Sequence, residues 1–137
     1  MPHFTSPLQP ETRAYSPMEM GEAALAGFFF IAERWGLDTR EQLALLGQPA
    51  RSTFFAWKKS RKAVLPQDTL ERISYLLGIW KALRILIPDG RQAEAWVKRP
   101  NDNPLFEGEA PIVRLTRGQI MDLADVRRLL DARRGVW

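Results

Sequence analysis

From Gln48 to Lys62 the chain carries Arg51, Lys58, Lys59, Arg61 and Lys62 and no acidic residue, and no other stretch is so one-sided. Cations gathered without counter-charges suit a polyanion. Lysine and arginine heads neutralise phosphates and release the counterions condensed on them, which favours binding. Arg51, Ser52 and Thr53 stand just ahead of the lysines. From the first turn of a helix their donors can reach base edges, and the helix dipole there favours a nearby phosphate. Other chemistries have little to work with. There is no cysteine, which excludes disulfides, thiolate metal sites and cysteine nucleophiles, and the one histidine is His3 in a proline-rich start. Glu107 and Glu109 flank Gly108, but solvated acids in loops share that spacing, and the glycines are too isolated for a phosphate cradle. No catalytic residue, metal ligand or cofactor is expected, and the protein is expected not to be an enzyme.

The elements that must position the basic cluster are helices. A chain of 137 residues with 45% hydrophobic side chains has room for one domain or two very small ones with a real core. Its net charge of +4 is modest, so the distribution of charge says more than the total. No apolar run approaches the ~20 residues of a membrane span, and the first residues lack the basic and apolar regions of a signal peptide. The expected location is the cytoplasm. Residues 1–18, with Pro2, Pro7, Pro10 and Pro17, read as a disordered arm. From about Glu19 to Trp35, Leu25, Phe28, Phe29, Ala32 and Trp35 recur at helical spacing, and Gly36 is placed to end that helix. Thr39 and Gln42 have the spacing of a capping box, as do Asp68 and Glu71. Further helices are expected around Arg91 to Lys98, after Pro111, and through Ile120, Leu123, Val126 and Leu130. No convincing strand alternation appears, so the fold class is all-α.

Residues 39–60, "TREQLALLGQPARSTFFAWKKS", follow the logic of a helix-turn-helix. A short helix carries Leu43 and Leu46, Gly47 permits the sharp turn, and a second helix presents small polar residues at its start. DNA contacts are therefore expected from Arg51, Ser52, Thr53, Lys58, Lys59, Arg61 and Lys62. The interval from Gly47 to Trp57 is one residue longer than in the usual turn of this motif. Phe54 and Trp57 are expected in the core, while the pattern leaves Phe55 either inside or on the surface. A plain helical hairpin with a solvated basic face is the alternative. Farther on, Tyr75, Leu76, Leu77, Ile79 and Trp80 leave their helix no polar face. Dimerisation through Tyr75, Leu76, Ile79 and Trp80 is expected, against burial entirely within one chain.

Residues 99–118 hold three prolines and two glycines, yet Leu105, Phe106, Ile112, Val113 and Leu115 are strongly apolar. With "DTLERISYLLGIWKALRILIPD" before them and "DLADVRRLLDARRGVW" after, they resemble antitoxins of the Xre/MbcA/ParS family, the partners of RES-domain toxins. The most specific signature is Trp96, Arg99-Pro100-Asn101, Pro104-Leu105-Phe106 and Gly108, followed by Val126-Arg127-Arg128-Leu129-Leu130. The resemblance runs from about Gly21 to Trp137. It implies an Xre-like helix-turn-helix half that binds operator DNA and represses its own operon. It also implies a C-terminal half that covers the active site of an NAD⁺-degrading RES toxin, and self-association. On that basis residues 1–18 are an arm, 19–88 the helix-turn-helix and dimerisation region, and 89–137 the toxin-binding domain.

Toxin contacts are expected from Asn101, Pro104, Leu105, Phe106, Arg127, Arg133, Arg134 and Trp137. The prolines restrict the segment in advance, so less entropy is lost on binding. One set of its side chains anchors it to the chain, and its outward surface meets the partner. Trp137, with arginines beside it, suits insertion into a pocket built for a dinucleotide. Its alternative is to fold back on Leu130. The rival to the whole reading is a stand-alone helix-turn-helix transcription regulator whose C-terminal half only dimerises.

Overall fold

A computed structural model describes residues 14–134 of the chain; residues 1–13 and 135–137, with His3 and Trp137 among them, lie outside the described residues. Most of the arm expected over 1–18 is therefore not described. Its last part is helical, because the first helix, α1 (Pro17–Arg34), opens at Pro17 rather than near Glu19. Ser16 Oγ accepts the Glu19 N–H at 3.1 Å while Glu19 Oε1 accepts the Ser16 N–H at 2.9 Å. This reciprocal box, with proline at the first helical position, starts the helix early. Leu25, Phe28, Phe29, Ala32 and Trp35 all face the core, as their spacing implies.

The second helix, α2 (Thr39–Leu45), is capped one residue before the expected Thr39 and Gln42 box. Glu41 N–H donates to Asp38 Oδ1 at 2.7 Å, and Asp38 N–H donates to Glu41 Oε1 at 2.9 Å. Carboxylates are the stronger acceptors here. Gln42 instead turns inward, where its Nε2 donates to Leu37 O at 3.0 Å. After α2 the backbone makes two left-handed residues in succession, Gly47 with φ of 87° and Gln48 with φ of 61°. Gln48 N–H donates to Leu43 O at 2.8 Å, which closes the end of α2. The second left-handed residue uses the extra position in the interval, and α3 (Arg51–Ser60) follows.

A long central helix, α4 (Gln67–Leu86), enters through Pro66 and has no side-chain cap. That entry lies two residues before Asp68, so the box expected between Asp68 and Glu71 does not form. Asp68 Oδ2 accepts from Arg72 Nε at 2.8 Å instead. The chain continues through α5 (Gly90–Ala95), a 3-10 turn (Trp96–Lys98), a second 3-10 turn (Pro104–Phe106), α6 (Pro111–Leu115) and α7 (Ile120–Arg134). Among the described residues there is no strand, and no helix is long and apolar enough to cross a membrane.

The all-α class expected from the pattern is what forms. α4 packs against α1 and against α7. A single buried cluster runs from Leu25 and Phe28 through Ile73 and Leu83 to Phe106, Leu123 and Leu130. Leu76 and Ile79 lie inside it, with no exposed surface. This corrects the expectation that Leu76 and Ile79 meet a second copy, because α7 and α1 cover them within one chain. Tyr75 and Trp80 are only part-buried, and Leu77 beside them is exposed.

Candidate functional site

The basic cluster is held by two core side chains. Phe54 and Trp57, one turn apart, are buried, and Phe54 meets Phe29 of α1 with ring centroids 5.9 Å apart. That anchors α3 on α1 and turns its other faces outward. Arg51, Ser52, Thr53, Lys58, Lys59 and Lys62 are all exposed. None of them forms an ion pair with the described residues. The first turn of α3 holds no acid, and Ala50 offers no side-chain cap to the free amides there. A basic helix with an open N-terminus is thus presented to solvent, and such a surface draws an anion by charge and by unpaired donors together.

Arg61 is exposed like the rest of the expected set, and it is also tied down. It occupies the left-handed position that ends α3, with φ of 60°. Its Nε donates to Lys58 O at 2.8 Å, and its Cζ stands 4.5 Å from the centre of the Phe29 ring. Its guanidinium therefore ties the end of α3 back to α1, while Lys58, Lys59 and Lys62 around it are exposed and form no ion pair with the described residues. Phe55, which the pattern left between core and surface, is 43% exposed.

The irregular stretch is built around Phe106. Phe106 is buried and meets Trp96 edge to face, with centroids 5.7 Å apart. This corrects its assignment as a partner contact: the ring anchors the segment from within. Asn101 Oδ1 accepts the Asn103 N–H at 2.9 Å, and Asn103 Oδ1 accepts the Leu105 N–H at 2.9 Å. Asn101 N–H donates to Glu109 O at 3.1 Å, closing the loop on itself. Side-chain amides thus replace the backbone ladder that the prolines deny. Pro104 stays exposed, while Asn101 and Leu105 are part-exposed.

Arg114 of α6 fastens this loop to α7. It donates to Leu105 O at 3.1 Å and pairs with Asp122 at 3.2 Å and Asp125 at 3.1 Å. Its role was invisible in the sequence, since Asp122 and Asp125 approach it only once α7 folds back. Two arginines of α7 are closely paired too: Arg127 with Asp131 at 3.1 Å and Arg128 with Asp125 at 2.9 Å. Arg134 lies 3.7 Å from Asp131, and Arg133 is exposed. Arg127 lies across α4 at Gly78, where a Cβ would overlap its guanidinium. The expected toxin contacts therefore divide. Phe106 is interior, Arg127 borders α4, and Pro104 and Arg133 face solvent.

Lys98 and Arg72 are among the side chains that join the halves of the chain, and neither was singled out by the sequence pattern. Lys98 Nζ donates to Gly36 O at 3.1 Å and to Glu41 Oε1 at 3.1 Å, so it reaches the capping box of α2. Arg72 packs where a Cβ on Gly47 would sit 2.8 Å from its Nε, and it donates to Gly118 O at 3.0 Å. The helix-turn-helix turn and the end of the irregular stretch thus share one arginine. Among the described residues no group of carboxylates or histidine could hold a metal ion.

Comparison with known proteins matches the chain in two parts. The model of the antitoxin Xre-like helix-turn-helix domain matches residues 20–78, which include α2 and α3. The model of the antitoxin Xre/MbcA/ParS C-terminal toxin-binding domain matches residues 82–135, which include the loop around Phe106 and the arginines of α7. The uncharacterized protein y4oB of Sinorhizobium fredii (strain NBRC 101917 / NGR234) is 49% identical over 113 residues, covering 82% of this chain and 85% of that protein.

Proposed function

Because the chain belongs to the Xre/MbcA/ParS family of antitoxins, we propose that it neutralises a RES-domain toxin that degrades NAD⁺ and represses its own operon. The C-terminal half covers the toxin's active site, and α3 enters operator DNA. The observation that carries this reading is the presence of both surfaces on one continuous core. An acid-free basic helix with an uncapped start lies in the part that matches the helix-turn-helix domain. A rigid loop and an arginine-bearing helix lie in the part that matches the toxin-binding domain. Pro104, Leu105, Arg133 and Arg134 contact the toxin, and Trp137 enters the NAD⁺ cleft. Arg127 touches the toxin from the edge of α4.

The protein acts as a homodimer or higher homo-oligomer. With Leu76 and Ile79 inside the chain, the supporting apolar surface is the exposed Phe30, whose ring meets Trp80, together with exposed Met20 and Leu77, which line one groove. Burying such side chains between two copies is favourable by ~25 cal/mol for each Å² of apolar surface removed from water.

Co-expression with the RES-like protein of the adjacent reading frame tests the antitoxin role. The full chain should keep cellular NAD⁺ and growth at control levels. A chain lacking residues 133–137 should fold and still bind DNA, while NAD⁺ falls. Full protection by that shortened chain at equal abundance would exclude occlusion by these residues. Failure of the full chain to protect against the toxin would exclude the RES partnership itself.

A further inference from the structure

α3 carries three aromatic side chains, and two of them are explained by the core. Phe55 is not. It is 43% exposed, on the helix whose other outward residues are basic, small and polar, or alanine. An exposed phenylalanine alone means little. Its setting is what distinguishes it. The ring is held edge-on against buried Phe54, with centroids 5.0 Å apart and planes at 74°, so its direction is set by the core. Arg51, one turn earlier on the same face, places its Cζ 5.6 Å from the centre of the Phe55 ring. No acidic residue occurs between Gln48 and Gln67, so the apolar ring lies within a surface complementary to a polyanion.

A duplex offers such a ring one apolar feature in the major groove, the 5-methyl group of thymine, and it offers arginine the O6 and N7 acceptors of guanine. We infer that Phe55 reads thymine through its 5-methyl group, while Arg51, braced against the same ring, donates two hydrogen bonds to a neighbouring guanine. The guanidinium keeps its edge N–H groups free when its face rests on an aromatic ring, so the stacking orients the fork without using its donors. Lys58, Lys59 and Lys62 contact phosphates and position the helix without specifying sequence. Base specificity then resides in the pair Arg51 and Phe55. This rests on the proposal that α3 enters operator DNA.

Binding of the full chain to a duplex from upstream of its own gene tests the inference. Each thymine is replaced singly by deoxyuridine, which removes the methyl group and nothing else. At the thymine under Phe55 the replacement should weaken wild-type binding about three- to tenfold. Phe55→Ala should bind thymine and deoxyuridine duplexes equally, at the weakened level. Arg51→Ala should lose the penalty for 7-deazaguanine at the adjacent position. Phe55 is exposed, so Phe55→Ala should unfold at the wild-type temperature, and this is checked first. Salt-dependent binding with no sensitivity to any single deoxyuridine would overturn the role of Phe55 and leave DNA binding by α3 standing. Loss of self-association by Phe55→Ala, with the deoxyuridine penalty unchanged, would assign the ring to a second copy and overturn the inference. Absence of any salt-dependent binding would overturn both the inference and the reading beneath it.

Discussion

α3 and α7 are both rich in cations, and the two use them in opposite ways. On α3 and just after it, Arg51, Lys58, Lys59 and Lys62 face solvent without a carboxylate partner among the described residues. On α7, Arg127 and Arg128 are each within 3.1 Å of an aspartate, and Asp122 and Asp125 also hold Arg114 of α6. Unpaired charges add their fields and attract a polyanion from a distance. Paired charges largely cancel at long range and act through the fixed geometry of the guanidinium. A formal charge of +4 says nothing of this division, because every arginine counts alike in the sum. The difference separates a surface suited to the repetitive charge of a nucleic acid from one suited to a single shaped partner.

The largest expected effect lies on the paired side. Arg114→Ala leaves Asp122, whose side chain is 10% exposed, without its cation and frees the loop at Leu105. Breaking a buried pair by removing one partner costs about 3 kcal/mol or more, so denaturant unfolding should shift by that amount. A loss below ~0.5 kcal/mol would show that α6 and α7 are not held by this cluster.

The unpaired side should respond in binding and hardly in stability. Replacing Lys58 and Lys59 together with alanine should weaken binding to any duplex roughly tenfold near physiological salt. It should flatten the salt dependence by a slope of about one to two. Stability should change by less than ~0.5 kcal/mol, since both side chains are exposed surface groups. An unchanged salt slope, measured by titration at several ionic strengths, would remove these lysines from the phosphate contacts.

Arg61 lies between the two regimes and sharpens the boundary. Arg61→Ala should destabilise the protein by about 1 kcal/mol, through the contact with Phe29 and the bond to Lys58 O. Its effect on the salt slope should be well below that of either lysine. Equal slope changes for Arg61 and Lys58 would mean that the guanidinium leaves Phe29 when DNA binds.

The smallest change in stability is expected at Gly78. Gly78→Ala gains about 1 kcal/mol of helix propensity, while the flexible head of Arg127 moves off α4, so thermal unfolding should hardly move. Affinity for the toxin should fall, because Arg127 can no longer lie across the helix. Unaltered toxin affinity in a pull-down titration would leave Arg127 without a role at that interface.

Periodic and local features were legible in the sequence. The α1 stripe of Leu25, Phe28, Phe29, Ala32 and Trp35, the left-handed ends at Gly36 and Gly47 and the acid-free run after Gln48 depend on residues a turn or less apart. The motifs from Asp68 onward pointed to the family. Where several nearby residues competed for one local role, the pattern erred by a step: Asp38 with Glu41 caps α2, and Pro66 opens α4 ahead of Asp68. Only the tertiary structure decided which faces are covered. Leu76 and Ile79 looked like a surface for a second copy until α7 returned across them, and Phe106 looked like a partner contact until Trp96 enclosed it. Arg114 gained its aspartates, and Lys98 its place on the capping box of α2, from segments far apart in the chain. Helical period and chain reversal arise from short-range hydrogen bonding and sterics, so they can be read residue by residue. Burial and ion pairing arise from segments that meet only on folding, and no local pattern records which segment will arrive.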